Sequence, residues 1–426
     1  MLQTLVDRIG ASSRLGELFA GICDTGGRFA GTESEVLARE WLAARLAEAT
    51  GRTVVREAIP SRGWTRGPSR VRAGGRELPA HALVRSPATP AGGLTATLVD
   101  LGRGAPEDFA RAGEAVRGAI VMVRHELMFA TGHIHRRRKY EMARAAGAAG
   151  FLIAFHEPGD LVVTGSSGDG GPGHIPAAGI SRESGAALAG AHGTPVTLET
   201  SGVLHDAIAE NLFATIPGKG PEVVVLSAHL DGHDLGESAI DNGTGLACAL
   251  AVAEAMREIV PGLRRGLQVA FFTIEEWALM GSREHLRRLD PAARARIAFD
   301  VNLDSVAGAD GLTALTSGFP GVAEFVRAAT AGCGHEVGLH APFMGNSDHA
   351  NYVRAGIPAL RLVAGFDQPR SPFRLLLTAG DTRDKVARHQ LRAAAAVTAA
   401  LLLAACDGER LPPHVDAATA AALAGG

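Results

Sequence analysis

Apolar positions recur at helical spacing near both ends of the chain and gather into strand-length runs between them. The leucines of MLQTLVDRIGASSRLGELF follow a helical stripe. In GTESEVLAREWLAARLAEA, Thr32 and Glu35 form a T-x-x-E capping box, after which Val36, Leu37, Trp41, Leu42 and Leu46 fall on one helical face. Residues 1 to about 60 therefore read as helical, then extended. From 67 to 202 the pattern changes to short β runs broken by glycine and proline: LTATLVDL, GAIVMVRH, GFLIAFH and TPVTLETS, with KYEMARAAGAAG as a helix between the middle two. The tract GSSGDGGPG, Gly165 to Gly173, has nothing with which to pack a core and is expected to be a mobile loop.

From about Asn211 onward strands and helices alternate: EVVVLSA, GLACALAVAEAMREI, QVAFFTI, a helix near Arg283 to Arg288, IAFDVNL, a helix near Val322 to Ala331, another at Ser347 to Arg354, then ALRLV and a last helix. Strand runs without strict alternation imply burial on both faces. The expected fold class is α/β, a mostly parallel mixed sheet sandwiched by helices, with a smaller β-rich domain inserted. The division is 1–66 with 203–426 for the larger domain and 67–202 for the insertion. The apolar stretch Ala393 to Cys406 is shorter than the ~20 residues of a membrane span and reads as a buried helix.

Composition narrows the function. The chain has 426 residues, 46% of them apolar, so two or three packed units are expected. With 42 basic and 45 acidic side chains, a formal charge of -3 gives no general attraction for nucleic acid or an anionic membrane. Partners are expected to be small or peptidic, with homo-oligomerisation left open. Cys23, Cys248, Cys333 and Cys406 are scattered without a C-x-x-C pair, and the amino terminus lacks a basic start followed by an apolar core. A reducing, cytoplasmic setting is expected.

Candidate chemistry lies where strands end. VVVLSAHLDGHDLGESAIDNGTG places His229 and Asp231 after one apolar run and Asp241 in a glycine-rich turn before a helix. VAFFTIEEW ends in Glu275 and Glu276, and AFDVNLDSV ends in Asp304. One imidazole with several carboxylates at one sheet edge suits zinc. A bridging carboxylate would let two ions sit ~3.5–4 Å apart and clamp both oxygens of a hydrolytic transition state. The adjacent glutamates, at an extended end, are expected to point in different directions, one toward metal and the other toward a proton.

The motifs AHLD, AIDNGTG, TIEEWALMGS and NLDSV, followed by GNSDHANYVRAGIPALRL and AGDTRDKV, resemble the zinc-dependent aminopeptidase family that includes carboxypeptidase Q, glutamate carboxypeptidase and glutaminyl cyclase. RGAIVMVRH, KYEMARAAGAAGFLIAFH and HIPAAGISRESGAAL resemble the protease-associated domain, an insertion often found in that family as a lid. The resemblance implies the zinc exopeptidase fold. It implies that His229 and Asp304 hold one zinc, that Asp241 bridges, that Glu276 binds a second ion, and that Glu275 is the general base. Asp231 would orient His229 by accepting its other ring N–H. The Asp241–Asn242 peptide is expected to be cis, with Gly243 and Gly245 helping to accommodate it.

The chain departs from the family at one ligand. A histidine is usual in a Y-H-T-x-x-D-T pattern, whereas LLLTAGDTRDKV puts Leu377 there while keeping Thr378, Asp381 and Thr382. One zinc is therefore expected to bind firmly and the second site to be weakened. His349, in S-D-H beside Asp348, is the nearest substitute ligand; His233 reads as a wall of the substrate pocket. His133 and His135, beside Arg136, Arg137 and Arg138, read as a solvated basic loop; if this loop reached the site, its charge would favour an acidic substrate end. The expected function is metal-dependent hydrolysis of an amide bond in a small peptide or amino-acid conjugate, aminopeptidase-like, with metal-activated water. The alternatives are a mononuclear acyltransferase of the glutaminyl cyclase type and a non-catalytic binding protein on the peptidase fold.

Overall fold

The computed structural model describes residues 1–168, 171 and 173–425. After three helices, Leu2–Ala11, Arg14–Cys23 and Glu33–Thr50, comes strand β1 (Val55–Arg66). Seven strands follow: β2 (Arg70–Ala73), β3 (Arg76–Ala82), β4 (Leu94–Asp100), β5 (Ile120–Arg124), β6 (Gly150–Ala154), β7 (Ala177–Ile180) and β8 (Pro195–Glu199). They close into a barrel in the order β2-β3-β7-β6-β5-β4-β8. The remaining strands are β9 (Gly202–Ile216), β10 (Val223–His229), β11 (Gly266–Phe272), β12 (Ile297–Leu303), β13 (Leu312–Leu315), β14 (Val337–His340) and β15 (Ala359–Ala364).

These strands and β1 form one sheet in the order β1-β9-β11-β10-β12-β15-β13-β14. Pairing is parallel from β11 through β10 and β12 to β15 and again at β13–β14, and antiparallel at β1–β9–β11 and β15–β13. β10 and β12 are buried along nearly their whole length, as unalternated apolar runs require. Helices Thr244–Met256 and Arg388–Asp407 lie against β10 and β12 with the amino-terminal helices packed over them; helix His349–Arg354 lies against β12 and β15. Arg388–Asp407 is long and apolar enough to cross a membrane by length and composition, but most of it is buried inside the fold.

Two local expectations are corrected. Thr32 does cap its helix, accepting from the Glu35 N–H, but Val36 and Leu37 are 41% and 58% exposed. The buried face runs instead through Glu35, Ala38, Arg39, Leu42 and Leu46, because the Glu35 carboxylate turns inward onto Arg39 at 3.1 Å. The Gly165–Gly173 tract is partly built in: Ser166 bridges to Val84, and Ser166 and Ser167 are buried. Residues 169, 170 and 172 of that tract lie outside the described residues. The short strands β2, β3, β7, β13 and β14 were not separable from loop in the sequence.

Candidate metal centre

Because β10, β11 and β12 run parallel side by side, their carboxyl ends open at one edge. His229 ends β10, with Asp231 two residues on, and Asp304 directly follows β12. Glu275 and Glu276 are not on an extended end: the backbone turns left-handed at Ile274, and both occupy the first turn of helix Glu275–Ala278. Asp241 comes from the turn Ala239–Gly243, where the Asp241–Asn242 peptide is cis. The Asn242 side chain ties that turn to β12, donating to the Leu303 carbonyl at 2.8 Å and accepting from Gly245 and Ser305 N–H groups at 3.1 Å. Gly245 is needed for close approach, since a Cβ there would stand 2.6 Å from the Leu303 carbonyl oxygen. Gly243 meets no such obstruction, its nearest neighbour being 3.3 Å away.

The five expected ligand and base residues converge. Donor atoms of His229, Asp241 and Glu276 lie within 4.8 Å of one another, as do those of His229, Glu275 and Asp304. His229 Nε2 is 3.1 Å from Asp241 Oδ1 and 3.5 Å from Asp304 Oδ1. Its Nδ1 lies 3.0 Å from the Asp231 backbone carbonyl, which fixes the tautomer that frees Nε2. The Asp231 carboxylate is therefore not the group that orients His229; it stands 3.9 Å from Nδ1 and accepts instead from the N–H groups of Glu275 and Glu276 at 3.0 and 3.3 Å. It holds the turn that presents both glutamates.

The electrostatics are those of a concentrated, buried negative site. Burial above all, with Asp304, Glu276 and Asp348 adding to it and His229 opposing, holds the Glu275 carboxyl well above its ordinary range. Burial and Asp241 do the same to Glu276. Burial pulls the His229 pKa down, but Glu275, Asp304 and Asp241 carry it well above the usual imidazole value. Asp304 is kept low against its burial by Arg361, whose Nη2 lies 3.1 Å away. Ser347 Oγ donates to the same carboxylate at 2.5 Å. Several buried carboxylates gathered around one imidazole make a place where a divalent cation relieves repulsion, and these donors fit zinc.

The remaining candidates separate. His233 is buried against the site, with Nε2 2.5 Å from Glu276 Oε2. Asp348 accepts from Ser282 Oγ at 2.5 Å, and burial raises its pKa to about 7. His349 is buried with neither ring nitrogen hydrogen-bonded. Leu377 lines the cavity in a left-handed conformation (φ 65°), and its carbonyl accepts from Thr164 N–H at 2.8 Å. Sequence reasoning missed Arg361 and Arg28. Buried Arg28 donates to the carbonyls of Leu230, Glu237 and Ser238 at 3.2, 2.8 and 2.7 Å, holding the loop after β10 in shape. Neither arginine has a local signal, since each acts on residues far away in the chain.

The basic segment is not a solvated loop. His133, His135 and Arg136 to Arg138 line the same cavity, about 920 Å³, as Asp241, Glu275, Glu276 and Asp304. Arg137 donates to Ser166 Oγ at 2.9 Å and to the Trp277 carbonyl, while Arg136 donates to the Ser166 carbonyl at 3.0 Å. Of these, the contact with Trp277 ties the insertion to the turn at the sheet edge, and the two with Ser166 brace the segment within the insertion. Arg283 and Arg354 line the cavity as well and donate to neutral oxygens of Ala278 and Asn351.

Residues 211–402 match the model for Peptidase family M28, and residues 94–188 match the PA domain. The chain is 28% identical over 357 residues to probable leucine aminopeptidase 2 of Arthroderma benhamiae, covering 80% of this chain and 69% of that one. It is 29% identical over 322 residues to a probable lipoprotein aminopeptidase of Mycobacterium tuberculosis, covering 70% and 62%. Its fold is that of a peptidase M28 precursor from Shewanella amazonensis (TM-score 0.81, 23% identity, 97% and 98% covered). It is also that of a zinc aminopeptidase from Bacillus subtilis (TM-score 0.75, 23% identity, 94% and 96% covered).

Proposed function

We propose that the chain, whose residues 211–402 match Peptidase family M28 and whose residues 94–188 match the PA domain, is a zinc-dependent, aminopeptidase-like hydrolase of small peptides or amino-acid conjugates whose far end carries a carboxylate. The observation that carries this reading is the convergence of His229, Asp241, Glu275, Glu276 and Asp304 within metal-ligand reach. His229, Asp241 and Asp304 would hold one ion, and Asp241 with Glu276 would face a second, to which Leu377 contributes nothing. Zinc, when bound, supplies Lewis acidity toward a carbonyl and lowers the pKa of water.

The chain's own groups do the rest. Glu275, held by its backbone N–H on the Asp231 carboxylate, takes a proton from the attacking water and returns it to the leaving nitrogen. Arg361 balances Asp304, so the latter stays ionised and able to ligate. The barrel covers the cavity and limits bulk water. Arg138, Arg283 and Arg354 give the outer cavity a positive field suited to a substrate carboxylate. The four cysteines are buried and unbridged, which supports a reducing, cytoplasmic compartment as part of the proposal.

The test compares dipeptides with free and amidated carboxyl ends, using the native chain and Glu275→Gln. The expected result is a loss of about 10²–10⁴-fold in kcat for Glu275→Gln at unchanged zinc content. A preference for the free carboxylate that Arg354→Ala reduces is expected as well. Equal turnover by the native and Glu275→Gln proteins would remove the assigned base.

A further inference from the structure

The position at which a histidine is lost, Leu377, lines the cavity as an apolar side chain, leaving the second ion with Asp241 and Glu276 alone. Another buried imidazole stands beside Glu276. His233 is 4% exposed, and neither of its ring nitrogens makes a hydrogen bond. Its Nε2 is 2.5 Å from Glu276 Oε2 without the alignment of a hydrogen bond, and Glu276 Oε1 is also unpartnered. An unsatisfied imidazole and an unsatisfied carboxylate oxygen buried side by side are costly unless a third group is shared between them.

The loop is built to hold the ring there. The His233 N–H donates to Ser238 Oγ at 2.8 Å, and Ser238 Oγ returns to the His233 carbonyl at 3.3 Å. Arg28 clamps the carbonyls on either side, at Leu230 and Ser238. Asp241, the other carboxylate of the second site, also acts electrostatically on the ring. His349 is equally buried and equally free of hydrogen bonds, but the charge acting most strongly on it is Arg361, a cation.

We propose that His233 supplies the imidazole of the second zinc site, replacing the ligand lost at Leu377, so that the chain binds two ions rather than one. This inference rests on the metal-centre reading above but is tested apart from activity. The full chain is stripped with chelator and dialysed; zinc uptake is then counted by elemental mass spectrometry and its affinity measured by calorimetry. Native protein and His349→Ala are expected to take up two ions per chain. His233→Ala and the volume-preserving His233→Phe are expected to retain one, with the second site weakened at least 10-fold, and Leu377→His in the His233→Ala background is expected to restore it. Denaturant unfolding of the stripped variants confirms that they fold. Two ions bound with native affinity in both His233 variants would overturn the inference, as would a single ion in the native chain. No zinc bound by the native chain would overturn the metal-centre reading itself.

Discussion

Asp231 shows how one carboxylate can look like a ligand's orienting partner in sequence and do something else in space. Its backbone carbonyl meets His229, and its side chain caps the Glu275–Glu276 turn. Asp231→Ala is therefore expected to leave the buried Glu275 N–H and the part-buried Glu276 N–H unpaired, at about 1–3 kcal/mol for the buried one and less for the other, while His229 keeps its tautomer. Urea unfolding would register the loss, and zinc uptake at the site of His229 and Asp304 would persist. Residues following long apolar runs were legible because burial of the run dictates where the strand stops. The acceptors of Arg28 and the partner of Arg361 were not, because they depend on which distant loops the fold brings together.

At the scale of elements, helix Glu33–Thr50 turns a charged pair inward where the hydrophobic pattern had placed valine and leucine. Burial raises the Glu35 pKa to about 7, with Arg39 opposing. A folded-state pKa above the ordinary value of 4.5 means that this group's contribution is fully present below about pH 4.5 and is lost as the pH rises through about 7. Glu35→Gln removes that dependence. Between pH 5 and 8 the native chain is expected to lose stability relative to Glu35→Gln by up to ~3 kcal/mol, read from paired urea curves; parallel curves would contradict the shift. Long buried strands such as β10 and β12 were legible from unbroken apolar runs. Four-residue strands such as β2 and β7 were not, because so short a segment offers too few positions for periodicity to register.

For the whole molecule, the barrel's position decides what the cavity admits. Asp367 pins it, accepting from Thr131 N–H at 2.7 Å and Thr131 Oγ at 2.8 Å while donating its own N–H to the Phe129 carbonyl at 2.7 Å. Asp367→Ala is expected to raise KM several-fold for carboxylate-bearing substrates, with a smaller change for short amides, and to speed limited proteolysis around the barrel. An equal KM for both substrate classes would detach the barrel from selectivity. The two-unit architecture was legible from the change in pattern near residue 67, whereas the reach of the basic segment depended on docking contacts that no local motif encodes. Arg66 and Gly202, the residues from which the chain leaves β1 and enters β9, are direct partners across the same antiparallel pair. A tight two-residue hairpin between them would close the ribbon with its register already set. The peptidase sheet could thus gain or shed its cover in ancestry, or exchange it by engineering, without re-pairing a single strand.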